Sequence, residues 1–209
     1  MTLLDHLGDD DLLRRCGAGD EDAFTMLYRR RQGGIYRFAA QMSGSPAIAE
    51  EVTQEAFMTL IREAGRYEPS KGSVGAFLYG IARNHVLRCL ERDGRYVTLG
   101  EPDQDAEEPK GLNGAGASNG DLFGDLARRE TVERVRQAVL ALPPKYREVV
   151  ALCDLEELEY AEAARALGCE LGTVRSRLHR ARALLVAKLR ASRTVSMPSD
   201  TPARRTGGW

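Results

Sequence analysis

Between Leu171 and Arg193 every charged side chain is a cation: Arg175, Arg177, Arg180, Arg182, Lys188, Arg190 and Arg193. Guanidinium groups do two kinds of recognition chemistry. They pair bidentately with a guanine edge, or they fork onto phosphate oxygens. At 100° per residue Val174, Leu178, Ala181 and Leu185 share one stripe, which must face a small core. Opposite them lie Ser176, His179, Arg180 and Ala183, with Arg175 and Arg182 flanking one side and Arg177 the other. Arg180 is placed to read guanine, and His179 or Ser176 to meet bases or phosphates. Arg177 and Arg182 suit phosphates, which orient a protein without reading sequence. Thr173, after Gly172, can cap the helix start or meet a phosphate there.

The element that must position these groups is spelled out just before them. Tyr160–Leu185 reads YAEAARALGCELGTVRSRLHRARALL: an alanine-rich helix, a Gly-containing turn and the arginine helix. That is the order of a helix-turn-helix, whose second helix presents its N-terminal residues to the major groove. Ala163 and Ala164 are small enough for close approach of the two helices. A solvated amphipathic helix with an arginine face would explain the charges alone, but not the turn and the paired alanines with them.

The chain has 209 residues and a formal net charge of −1, so its positive charge is segregated and not global. Residues 97–127 hold seven acidic side chains (Glu101, Asp103, Asp105, Glu107, Glu108, Asp121, Asp125) against Lys110 alone. Apolar periodicity is helical throughout, which predicts an all-α fold of two small helical domains. Cys16, Cys89, Cys153 and Cys169 are scattered without CxxC spacing, so neither a zinc site nor a disulfide framework is expected. There is no GxxxxGK[ST] loop, and no cofactor is expected. No apolar run suggests a secretory signal or a membrane span, so the expected location is the cytoplasm.

Along the chain, Asp9–Tyr28 reads as two short helices broken at Gly17–Asp20, with Asp20 capping the second, which continues to a stop at Ser43-Gly44-Ser45-Pro46. A helix over Ile48–Ala64 buries Val52, Ala56, Phe57, Leu60, Ile61 and Ala64. It leaves Glu51, Gln54, Glu55, Met58 and Arg62 outside, as either a soluble surface or a partner-docking face. A loop over Glu68–Ala76 leads to a helix over Phe77–Glu91 with Leu78, Ala82, His85, Val86 and Cys89 inward, His85 as a satisfied core histidine. Phe77, Gly80, Arg83, Asn84, Leu87 and Arg88 turn away from that core; cations, an amide and an aromatic there suit exposed bases, though a plain polar surface fits too. Residues 97–126 read as a flexible acidic linker. Order resumes near Leu126, where Val132, Val135, Val139 and Leu142 mark a helix ended by Pro143-Pro144. A helix from Lys145 to about Asp154 follows, with Tyr146, Val149, Val150 and Cys153 inward. The expected division is 1–96, linker 97–126, helix-turn-helix domain 127–193 and a disordered tail 194–209.

Four segments in this order resemble the extracytoplasmic-function (ECF) sigma factors of the sigma-70 family: AEEVTQEAF at Ala49–Phe57, FLYGIARNHVLRCL at Phe77–Leu90, LPPKYREVV at Leu142–Val150 and GTVRSRLHRAR at Gly172–Arg182. The resemblance covers about Asp9–Arg95 and Ala127–Arg190. It implies a non-catalytic transcription initiation factor that binds core RNA polymerase at the largest-subunit clamp and flap and recognises and opens promoter DNA. An anti-sigma factor is implied as a further partner. Glu51, Gln54, Glu55, Met58 and Arg62 would then be the core polymerase contacts. Lys71 and Ser73 would line a pocket for a flipped −10 base, with Phe77, Arg83, Asn84 and Arg88 along the single strand. Thr173, Arg175, Ser176, Arg177, His179, Arg180 and Arg182 would meet the −35 duplex. Glu159 stands where the family usually has a capping Ser or Thr, and the Glu68–Ala76 loop is rich in Gly and Ser, which leaves the pocket residues open. The alternatives are a helix-turn-helix regulator that binds duplex operator without being a polymerase subunit, and a recombinase. The recombinase would want an α/β scaffold, and no sheet pattern is present.

Overall fold

The computed structural model describes residues 6–94 and 122–195, with side chains of the second segment described over 130–191. Local chemistry sets the helix ends of the N-terminal module. Helix α1 (Asp9–Gly17) leads to α2 (Glu21–Ser43), which the Asp20 carboxylate caps by accepting from the Ala23 amide at 3.0 Å. Gly44, at φ 70°, closes α2 in the left-handed conformation that glycine adopts without strain. Ser45 then caps α3 (Pro46–Arg62), with Pro46 at its first position, where no amide is missed. Two 3₁₀ turns, Ala64–Arg66 and Pro69–Lys71, carry the chain to α4 (Val74–Arg92). Ser73 caps α4 by accepting from the Ala76 amide at 3.1 Å, so the expected loop ends in a helix start.

Phe38, Phe57, Leu12, Leu13, Leu27, Leu60 and Leu78 fill this core. Phe57 sits edge-on to Tyr28 at 4.7 Å, and Phe38 edge-on to Tyr79 at 5.6 Å. Each large apolar side chain removed from water contributes about 1.5–3 kcal/mol. His85 is half-buried, its Nε2 3.1 Å from Thr59 Oγ1, which ties α4 to α3 as a core histidine should be tied.

The C-terminal module comprises α5 (Leu122–Leu140), α6 (Pro144–Val150) running on through a π-helical turn at Ala151–Leu155, α7 (Tyr160–Leu167) and α8 (Leu171–Val195). Val149, Val150, Ala163, Val174, Leu178 and Ala181 form its centre. Helix α5 starts at Leu122 instead of Leu126. Its expected apolar stripe is buried only at the far end: Val139 and Leu142 are 1% exposed, but Val132 is 66% and Val135 37% exposed. An apolar stripe predicts which way a helix would face, and it cannot supply the neighbour that covers it. Tyr146 and Cys153 are likewise only partly buried. Residues 95–121 and 196–209, which hold nearly all of the expected linker and tail, lie outside the described residues.

Both expected helical modules are present, and they pack on one another. Helix α7 lies against α4, and α2 meets both α5 and α6, so the buried apolar residues form one continuous cluster.

Candidate nucleic-acid interface

On α8 the stripe of Val174, Leu178 and Ala181 is fully inward, which turns Arg175, Ser176 and His179 to solvent. The helix begins two residues before Thr173, with Val174 N–H reaching Glu170 O, so Thr173 lies inside the first turn. Its carbonyl accepts from Ser176 Oγ at 3.1 Å. The two arginines assigned to phosphates are held by carboxylates. Arg182 forks onto Asp154 at 3.1 and 2.5 Å, and this bond raises its pKa further. Arg177 is 3.8 Å from Glu148, its side chain only 19% exposed. Arg180 is partly buried. Gly168, at φ 64°, makes the turn between the two helices, and Glu159 gives α7 no side-chain cap.

The outer face of α4 is where the modules meet. A cleft of about 440 Å³ takes Lys71, Ser73, Phe77, Arg83 and Asn84 from the N-terminal module and Arg165–Gly168 from α7 and its turn. Lys71 is exposed and pairs with Glu68 at 2.7 Å. Ser73 bonds Glu162 through both its hydroxyl and, at 3.3 Å, its amide. Phe77 is half-buried beside the Tyr67 ring at 5.7 Å. Arg83 forks onto Glu148 at 2.6 and 3.3 Å. Asn84 and Arg88 are exposed and line a second, neighbouring cleft of about 460 Å³ with Thr59, Arg62, Arg66 and His85. Arg62, expected on the docking face, thus also contributes to this cationic cleft.

The outer face of α3 has the opposite character. Glu51, Gln54, Glu55, Met58 and Arg62 are all exposed. Their ion pairs are loose: Arg62 to Glu55 at 4.0 Å and Arg92 to Glu51 at 3.4 Å.

Sequence reasoning missed the residues that join the modules. The Glu156 carboxylate takes Arg37 at 2.9 and 2.7 Å and the Tyr79 hydroxyl at 3.1 Å, and burial together with Glu156 pushes the Tyr79 pKa up. Arg147 donates to the Met42 carbonyl at 2.5 Å, to Leu142 at 3.0 Å and to Leu140. The available signal was Gly33-Gly34 and Gly80, glycines inside helices where alanine would be favoured. Of the cysteines, Cys16 and Cys89 are buried, and burial pushes the Cys153 thiol up to about 11. Among the described residues no cluster suited to a metal ion occurs, and no helix is long and apolar enough to cross a membrane.

Two helical modules, one with a basic helix-turn-helix, define an all-α two-module protein, and comparison with known proteins makes the class specific. Residues 27–96 match the sequence profile of Sigma-70 region 2, and residues 132–185 that of Sigma-70, region 4. The chain is 36% identical over 160 residues to the ECF RNA polymerase sigma factor SigE of Mycolicibacterium smegmatis, covering 75% of this chain and 57% of that protein. It is 31% identical over 181 residues to the ECF RNA polymerase sigma factor SigM of Mycobacterium tuberculosis, covering 87% of this chain and 84% of the other. In fold it is similar to CnrH, solved in complex with the cytosolic domain of CnrY, with a TM-score of 0.64, 23% identity, and 88% and 97% of the two chains covered. The chain belongs to the ECF sigma factors of the sigma-70 family. It spans 57% of the length of its SigE relative.

Proposed function

We propose that the chain is a promoter-specificity subunit: it binds core RNA polymerase in the cytoplasm, reads a −35 and a −10 element, and promotes opening without catalysing a reaction itself. The observation that carries this reading is the pairing of two exposed recognition surfaces in one chain, the α3 outer face and the Arg175–Ser176–His179 face of α8. The α8 face would enter the major groove at −35. Around Lys71 and Ser73 a flipped base would be held, with Arg83, Asn84 and Arg88 drawing the single strand along α4. Opening would then be driven by the binding of exposed bases. An anti-sigma factor is the expected inhibitor, in keeping with a solved chain of similar fold, the sigma factor RpoE in complex with the anti-sigma factor NepR from Bartonella quintana.

Run-off transcription with core polymerase on genomic fragments tests the reading. Discrete transcripts are expected only when both chain and core are present. Tight duplex binding by the chain alone in a gel shift, with no transcript, would make it an ordinary operator-binding regulator instead.

A further inference from the structure

We propose that the free chain is self-closed: Glu148 and Glu162 of the C-terminal module occupy Arg83 and Ser73, groups of the N-terminal module that nucleic acid would otherwise engage, and Glu156 latches the two modules through Arg37 and Tyr79. The part of this inference that concerns DNA rests on the function proposed above; the closure itself does not. A carboxylate matches the planar fork of an arginine much as a phosphate does. Glu148, with its side chain 3% exposed, takes Arg83 in that fork geometry, and also draws in Arg177 of the reader helix. Glu162 takes both hydrogen-bonding groups of Ser73. Glu156, 4% exposed, is seated in a notch between Arg37 and Tyr79. One carboxylate therefore sits on each of three stations along the covered side of the N-terminal module.

Two further observations indicate that this contact is written into the sequence. Glycines in helix interiors are disfavoured, yet two of them stand where the modules meet. A Cβ on Gly80 of α4 would lie 3.3 Å from the Ala166 carbonyl oxygen. A Cβ on Gly34 of α2 would lie 2.5 Å from the Tyr79 hydroxyl and 3.0 Å from Glu156 Oε2. In addition, Glu157, next to Glu156, holds φ at 56°, a left-handed conformation that costs a β-carbon-bearing residue energy. The turn accepts that strain while it delivers Glu156 into its notch.

Closure leaves the α3 outer face open while it covers much of α4. A closed chain can therefore dock through α3 before its α4 groups are released, which suppresses indiscriminate binding to nucleic acid by the free protein. The covalent link does not enforce closure. The 27 residues between Gly94 and Leu122 could reach about 90 Å if extended, so the contacts must hold the modules together.

The test uses the full-length chain and two variants. One is the triple substitution Glu148→Gln, Glu156→Gln, Glu162→Gln. The other is Gly80→Leu, a steric wedge that leaves every charge in place. Small-angle scattering reads the radius of gyration, and fluorescence anisotropy reads binding of a labelled single-stranded oligonucleotide of mixed sequence. Both variants are expected to expand, and to bind the oligonucleotide about tenfold more tightly, as follows if closure leaves about a tenth of the free chain competent. An unchanged radius in both variants overturns the proposal. Expansion without tighter binding overturns its DNA-masking half. If the triple variant loses its helical circular dichroism, the wedge alone decides. Run-off transcription by the unsubstituted chain separates the two readings: transcripts with no expansion of the variants sink closure alone, whereas expansion with no transcripts sinks the promoter-specificity reading and leaves closure standing.

Discussion

On α3 the side chains Glu51, Gln54, Glu55, Met58 and Arg62 stand in solvent with only loose ion pairs, while on α4 Arg83 is clasped by Glu148 beneath a neighbouring module. Both faces carry charged side chains at helical spacing, carboxylates with an arginine on α3 and arginines on α4. What separates them is company: α3 keeps its surface open, and α4 gives much of its own to α7. A charged face at the surface contributes little to stability and is available to a partner. A charged face that is covered must be paired, because an unpaired charge out of water is expensive. A charged side chain therefore carries different energetic weight on the two helices.

The largest way to break the comparison is to remove the support beneath the open face. Phe57, 2% exposed and packed edge-on to Tyr28 and Phe24, underlies α3. Phe57→Ala should cost about 3–5 kcal/mol. Thermal unfolding should then move down by about 2–4 °C for each kcal/mol lost, with polymerase binding falling as α3 loosens. An unshifted melting curve would mean that α3 is not held by this contact.

A pair of matched substitutions sharpens it next. Glu148→Ala leaves Arg83 and Arg177 facing an emptied, mostly buried site, and should cost about 3 kcal/mol. Glu55→Ala, on the open face, should stay within about 0.5 kcal/mol while weakening the association with core polymerase. Urea denaturation and a polymerase pull-down on the same two proteins make the measurement. Equal stability losses would erase the distinction between the faces.

Much of each face was legible in the sequence, and what was not follows a pattern. Asp20 and the Val174–Leu178–Ala181 stripe act within a turn or two of themselves, and each does in the structure what its spacing predicts, whereas Ser45-Pro46, read only as a stop, also opens α3 two residues before the expected start at Ile48. Glu148, Glu156 and Glu162 look locally like ordinary solvated carboxylates. Their partners Arg83, Arg37 and Ser73 are separated from them by most of a module and a connecting segment, so no periodicity could pair them. Val132 and Val135 fail in the reverse sense, an apolar stripe without a cover among the described residues. The interior glycines Gly34 and Gly80 were the one local trace of the docking, because a missing Cβ marks a close approach without saying to what.

A smaller effect divides the arginines of α8. Arg180→Ala should cost about 1–3 kcal/mol of discrimination at one base position of the −35 element. Arg177 was expected to weaken binding evenly across sequences, as a phosphate anchor does. Its place beside Glu148 adds a second consequence: Arg177→Ala should also lower stability, by about 1 kcal/mol, by leaving Glu148 with one cation fewer. Competition binding over a panel of promoter variants, read beside denaturation curves, distinguishes the two. Sequence-blind losses from both substitutions, with no change in stability, would contradict both assignments.

The smallest expected effect lies at the seam between the two helices. His85 on α4 bonds Thr59 on α3 at 3.1 Å, and burial, aided by the Arg88 charge, lowers its pKa from the ordinary 6.5. Arg62 acts in the same direction, whereas Glu55 and Glu63 oppose it. Because the folded chain holds this proton less tightly than the unfolded one, the unfolded state gains protons first as pH falls through about 6.5. The contribution of His85 to stability is therefore complete above that pH and declines below it. The urea midpoint should drop between about pH 7.5 and about pH 5.5, and the drop should be shallower in His85→Gln, whose amide can still bond Thr59 but cannot take up a proton. Carboxylates titrating over the same range shift both proteins alike, so the difference between them isolates the histidine. A variant curve parallel to that of the parent would show that the α3–α4 seam is insensitive to charge, and that the contrast between the two faces does not extend to the bond that joins them.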